Sequence, residues 1–209
     1  LKREAVQMLA VGGDPKTLDR LEAMYRQSAD RAIRTAVLEA WMIGDRPDLL
    51  ARVAAAEPDA ALRRQAIHLI GATGDGAALE TLYGQLKDAD DKAAVLKAFG
   101  IAGDDARLAR IARSERDPGL LRAALEGLGI SGGKDATAAI VEIYRATADA
   151  GIKRGAINGL IIADDGAAIL ALYRSESDRD LKRELMQALS IADSDQALEL
   201  IDRQLSGEQ

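Results

Sequence analysis

Residues 59–82 read DAALRRQAIHLIGATGDGAALETL, and this stretch decides the fold because the rest of the chain repeats it. Stretches similar to the one starting at Leu62 begin at Leu1, Ile33, Asp91, Leu120, Ile152 and Leu181. In chain order the seven starts are separated by 32, 29, 29, 29, 32 and 29 residues. The tetrapeptide LKRE opens both the first unit, at 1–4, and the last, at 181–184. A second column runs Leu21, Leu50, Leu79, Leu108, Ile140, Ile169 and Leu198, and each of its first six members precedes the next start by 12 residues. Both extra triplets therefore fall in one kind of connection, around VGGDPKT (11–17) and SGGKDAT (131–137). The spacing predicts that these are loops on a rim open to insertion.

Each unit reads as two helices, the second of which begins near the repeat start. Counted from that start, positions 1, 5 and 9 are mostly apolar; position 9 is Leu9, Trp41, Ile70, Phe99, Leu128, Leu160 and Leu189. The first helix places Met24, Val53, Leu82, Ile111, Ile143, Leu172 and Ile201 three residues after the leucine column. Spacings of three and four make one apolar stripe per helix. No strand-like alternation persists. Gly44-Asp45, Gly74-Asp75 and Gly103-Asp104 are expected to stop one helix and start the next. A further column, Asp30, Asp59, Asp88, Asp117, Asp149 and Asp178, lies three residues before each later start. Asp117 is followed by Pro118, a favoured pair for an N-cap and first helical residue, so the column predicts caps on the second helices.

The unit D-x-x-L-[KR]-R-x-A-[VI]-x-x-L-x-x-x-G-D-x-x-A-L-x-x-L resembles the short bacterial HEAT-like repeats, including those grouped with the phycobilisome lyases. The resemblance covers essentially the whole chain. Unit four departs from it with Asp91 and Ala93, and unit five with Leu121 at a basic position. The resulting expectation is an all-α, right-handed α-solenoid of about seven HEAT-like hairpins of 29–32 residues, a single domain over 1–209. The first residue is Leu and falls inside a second helix, so a longer parent chain is expected, and a removed leader is compatible with it.

The totals narrow the chemistry. No cysteine is present, so there is no disulfide and no thiolate nucleophile or ligand, which fits a reducing compartment. A net charge of −6 opposes general affinity for nucleic acid or anionic membranes. No apolar run approaches the roughly 18 residues of a membrane span. His68 is the only histidine, too few for the usual zinc or triad arrangements. Gly12-Gly13 and Gly132-Gly133 lack the phosphate-loop pattern and read as turns. All four tyrosines, Tyr25, Tyr83, Tyr144 and Tyr173, share one first-helix column, and Trp41 and Phe99 share position 9, so core packing accounts for every aromatic. The reading is thus of a protein without catalytic residues, metal or cofactor.

The basic residues at positions 2 and 3 are Lys2-Arg3, Arg34, Arg63-Arg64, Lys92, Arg122, Lys153-Arg154 and Lys182-Arg183. Position 2 suits a ladder that ties repeats together through the Asp column or backbone carbonyls. A helical wheel puts positions 3, 7 and 10 on the free surface and positions 4, 6 and 11 against neighbouring repeats. The resemblance implies that second helices line a concave face and that such stacks serve as binding scaffolds. The candidate binding residues are Glu39, Met42, Arg64, His68, Arg122, Glu126, Arg154, Asn158, Arg183 and Gln187, with small residues at position 10 leaving room for a ligand. Recurrent Arg at position 3 suits a protein or extended peptide with acidic groups. Two further functions follow from the resemblance: an accessory or lyase component for a tetrapyrrole, and DNA binding, which the net charge opposes.

Overall fold

The computed structural model describes residues 15–193 together with 6 and 198. The first LKRE copy, the first repeat's positions 3, 7 and 10, Leu9 and Ile201 lie outside the described residues. Within them the chain is an all-α helical repeat, with twelve helices and no strand. The first helices of the pairs are α1 (Pro15–Gln27), α3 (Pro47–Ala56), α5 (Gly76–Gln85), α7 (Asp105–Ser114), α9 (Lys134–Ala146) and α11 (Gly166–Ser175). The second helices are α2 (Arg31–Ile43), α4 (Ala60–Thr73), α6 (Ala89–Ala102), α8 (Pro118–Ser131), α10 (Ala150–Ile162) and α12 (Arg179–Ala192).

The Asp column caps every described second helix. Asp30 accepts from the amide of Ala32, Asp59 from Ala61 and Leu62, and Asp88 from Asp91. Asp117 accepts from Gly119 and Leu120, Asp149 from Ile152, and Asp178 from Asp180 and Leu181. Each carboxylate thereby satisfies free amides at a positive helix end.

The extra triplets are not in loops. The short first helices have 10 residues, whereas α1 and α9 have 13. The α8–α9 connection is only Gly132-Gly133, as short as Gly74-Asp75. Three residues are close to one helical turn, so the insertion extends the N-terminal end of the first helix and keeps its apolar stripe in phase. The connections themselves need one left-handed residue. Gly74, Gly103 and Gly132 supply it with φ of 78°, 69° and 67°. At the first such corner the expected Gly44 keeps a negative φ, and Asp45 takes the left-handed conformation instead, as Asp164 does later. Aspartate tolerates that region better than most residues.

The chain forms two compact units, Leu1–Ala102 and Gly103–Gln209. In the first, α2, α4 and α6 lie side by side, with α3 and α5 in the layer behind. In the second, α8, α10 and α12 form one layer and α7, α9 and α11 the other. The cores sit between layers: Trp41, Ile70 and Phe99 are fully buried in the first unit, and Leu128, Leu160 and Leu189 in the second. The second-helix layer is pinched. A Cβ on Gly71 would lie 2.7 Å from the Ala98 carbonyl oxygen, and one on Gly129 would lie 2.4 Å from that of Gly159. Glycine costs a helix interior about 1 kcal/mol relative to alanine, and here its absent side chain is what lets two backbones touch.

Candidate binding ridge on the second helices

Position 11 is exposed on every described second helix, positions 3 and 7 are exposed or half-buried, and position 10 is covered on all but α12. Gly71, Gly100 and Gly129 at position 10 are buried, and Met42 and Ile161 there are half-buried. What approaches the small residues at 71 and 129 is the next second helix, so these two places offer no room to a ligand, whereas Ser190 at position 10 of α12 is exposed. Position 11, expected to meet neighbouring repeats, is instead open: Ile43, Ile101, Ile130, Ile162 and Ile191 are all exposed. Steps of four residues place 3, 7 and 11 on one helix row. Tight glycine contacts draw the neighbour over position 10 and leave position 11 outside.

In the first unit the rows read Thr35-Glu39-Ile43 on α2, Arg64-His68-Ala72 on α4 and Ala93-Lys97-Ile101 on α6. Met42 lies beside this ridge rather than on it. In the second unit they read Arg122-Glu126-Ile130 on α8, Arg154-Asn158-Ile162 on α10 and Arg183-Gln187-Ile191 on α12. Arg64, His68, Arg122, Arg154, Asn158, Arg183 and Gln187 are exposed; Glu39 and Glu126 are half-buried.

Several position-3 side chains lean onto the next second helix. The Thr35 hydroxyl donates to Gln65 at 3.1 Å, and Arg154 Nε donates to Glu184 at 2.9 Å. Both acceptors are position 4 of the following repeat. The same place opposite Arg122 is Gly155, against which the aliphatic stem of Arg122 packs, so its guanidinium has no carboxylate there. Arg64 donates to Asp91 and Asp90, at 3.3 and 3.2 Å, and Arg183 to Asp180 on its own helix at 3.2 Å. These pairs are solvent-exposed on the arginine side, and Arg154 keeps 52% of its side chain open. The exposed pairs of Arg154 and Arg183 are weak enough for a partner's carboxylate to compete, whereas Arg64 is held partly by the buried Asp91.

Position 2 is the structural ladder, but its acceptors are not the Asp column. Arg34 ion-pairs with Glu57, which also accepts from the Tyr25 hydroxyl at 2.7 Å and the Asp59 amide at 3.0 Å. Glu176 repeats the arrangement with Lys153 at 2.8 Å and Tyr144 at 2.6 Å. Burial pushes the Glu176 carboxyl up, but donors from Lys153, Tyr144 and the amides of Asp178 and Ser177 outweigh it and hold its pKa at about 2. Burial and the neighbouring carboxylates push the Tyr25 and Tyr144 hydroxyls well above the usual phenol range. Lys92 and Lys182 lie over the Tyr83 and Tyr173 rings, at 4.9 Å from each centroid. Arg63 reaches forward to Asp91 at 2.6 Å and back to the Glu57 carbonyl at 2.8 Å. Asp91, at an otherwise apolar position, is fully buried under these donors. The glutamates two residues before the Asp column were missed by the sequence reading, although Glu57, Glu115 and Glu176 recur there.

The first-helix layer of the first unit carries a cleft of about 330 Å³ between α1 and α3, lined by Glu22, Tyr25, Arg34, Trp41 and Arg52 among others. Its charges are mutually paired: Glu22 with Arg26 and Arg52, and Arg34 with Glu57. Among the described residues, no cluster of His, Asp and Glu is placed to hold a metal ion, and no helix is long and apolar enough to cross a membrane. No protein-family model matches this chain, and no curated protein matches it.

Proposed function

We propose that the chain is a non-catalytic scaffold that binds another protein or peptide across its second helices, as its resemblance to short HEAT-like repeats suggests. The observation that carries this reading is the exposed 3-7-11 ridge. Apart from Asp91, core positions 1, 5 and 9 stay apolar from repeat to repeat, whereas position 7 runs Glu39, His68, Lys97, Glu126, Asn158 and Gln187. A constant frame with a varied row that is exposed at His68, Asn158 and Gln187 and half-buried at Glu39, Lys97 and Glu126 is how a repeat stack builds a specific surface. The pinched second-helix layer of each unit fits the concave side such stacks present. A nucleic acid would also favour the arginines, but the net charge of −6 opposes it.

Affinity capture tests the reading. The full chain is immobilised beside two variants, Arg122→Glu with Arg154→Glu on the ridge and Arg145→Glu on the first-helix layer, and exposed to lysate of the source organism. A protein retained by the wild type and by Arg145→Glu but lost on the ridge variant supports a ridge scaffold. Equal retention on all three contradicts it, and retention of the wild type on heparin at physiological salt would favour nucleic acid instead.

A further inference from the structure

The second unit carries more than a row of arginines. Its helices α8, α10 and α12 are neighbours, and each presents an arginine, a polar residue and an isoleucine in the same order. Arg122, Arg154 and Arg183 form one row, Glu126, Asn158 and Gln187 a middle row, and Ile130, Ile162 and Ile191 a third. The isoleucines are 40%, 41% and 69% exposed. A single exposed isoleucine needs no explanation, but three in register on successive helices form an apolar strip that a soluble surface ordinarily covers. Eight residues along a helix separate the arginine row from the isoleucine row by about 12 Å. That separation matches the width of one α-helix with its side chains, about 10–12 Å. Adjacent helices pack about 8–10 Å apart, so an element crossing all three runs about 20 Å.

We infer that the second unit's grid receives an amphipathic α-helix of another protein, laid across α8, α10 and α12, with acidic side chains on one flank and aliphatic side chains on the other. This rests on the scaffold reading and names the partner's chemistry. The charge complement sets the orientation: the acidic flank lies over Arg122, Arg154 and Arg183, and the aliphatic flank over Ile130, Ile162 and Ile191. Arg122 is the anchor, because Gly155 stands where Glu184 meets Arg154, so its guanidinium is the one a partner's carboxylate engages without displacing that interaction. An extended strand fits less well, since its side chains alternate between two faces and cannot load both rows at once. About 14 residues of helix cover the 20 Å crossing.

The test uses the full chain and labelled synthetic 18-residue helices in fluorescence anisotropy at low salt. One peptide carries a glutamate flank and a leucine flank, a second replaces every glutamate with lysine, and a third replaces every leucine with serine. The first peptide should bind, and the other two should bind at least roughly tenfold more weakly. Arg122→Glu should weaken the first peptide about fivefold or more, and Ile130→Ser with Ile162→Ser and Ile191→Ser about tenfold. Arg145→Glu should change nothing, and circular dichroism melts should show all variants folded. The inference is overturned if the lysine peptide binds as well as the glutamate peptide, or if the isoleucine variant binds normally. It is also overturned if no peptide binds at about 500 µM, or if phosphatidylglycerol vesicles, rather than any peptide, bind with isoleucine dependence. If the helices fail while a lysate protein is still lost on the ridge variant, the scaffold stands and only the partner chemistry is wrong.

Discussion

The two units share a frame and differ on their ridges. Both cap their second helices with the Asp column, both bury position 9, and both use glycine at position 10 to bring second helices together. On the 3-7-11 row the first unit is interrupted: Thr35 and Ala93 replace arginine, Ala72 replaces isoleucine, and Arg64 is drawn over the buried Asp91. The second unit has all three arginines and all three isoleucines in register. The difference separates two jobs that one residue type can do. Arginine at position 2, or beside Asp91, holds repeats together; arginine at position 3 of the second unit is still available to a partner.

The most disruptive test of the shared frame is a change of register. Inserting Lys-Asp-Ala between Gly76 and Ala77 should lengthen α5 to match α9 and leave the melting temperature within a few degrees. The same triplet between Lys87 and Asp88 lengthens the α5–α6 connection, whose length does not vary between repeats, and should cost more than about 3 kcal/mol. Equal losses at both sites in a denaturant titration would mean that the extra turn is not what distinguishes α9. Next in size is the buried carboxylate of the first unit. Arg63→Ala leaves Asp91 poorly compensated and should cost about 3 kcal/mol. Adding Asp91→Leu, the residue class other repeats use there, should recover most of the loss; a double variant as unstable as the single one would refute the ionic account.

Much of this architecture was legible in the sequence. The period, the all-helical class, the caps and the buried aromatics all follow from columns whose physics is local: an apolar stripe, an Asp before a helix, a glycine at a corner. What escaped was set by neighbours. Position 10 looked open on a single-helix wheel and is closed at Gly71 and Gly129 by the backbone of the next repeat. Position 11 looked covered and is exposed for the same reason. The inserted triplets looked like loops because VGGDPKT and SGGKDAT contain paired glycines, yet in the second unit Lys134, Asp135 and Ala136 continue as helix. The glutamates at 57 and 176 carried a readable signal, their constant distance from the Asp column, that a search for apolar stripes passes over.

Smaller effects sharpen the contrast between frame and surface. Gly129→Ala drives a methyl into the Gly159 carbonyl and should destabilise by about 1–3 kcal/mol despite the better helix propensity of alanine. Gly84→Ala in α5 has nothing within 4 Å and should stabilise by about 0.5–1 kcal/mol. Two shifts of the same sign in thermal melts would show that the close approach does not decide. Removing a cap should cost about the same in each unit, about 0.5–2 kcal/mol for Asp59→Ala and for Asp117→Ala; a flat melt for both would count against capping. Smallest of all, Arg122→Ala with Arg154→Ala should cost under about 0.5 kcal/mol per site. A clear drop there would make these arginines rungs of the frame and remove them from the binding surface.

Hydroxyl-radical footprinting of the full chain, free and in complex with a captured partner, tests the central claim most directly. Ile130, Ile162 and Ile191 should lose labelling on binding, while Met24, exposed on the first-helix layer, should label as before. Protection of Met24 with no change at the three isoleucines would contradict the account, because it would place the partner on a first-helix layer and leave the second helices of the second unit bare.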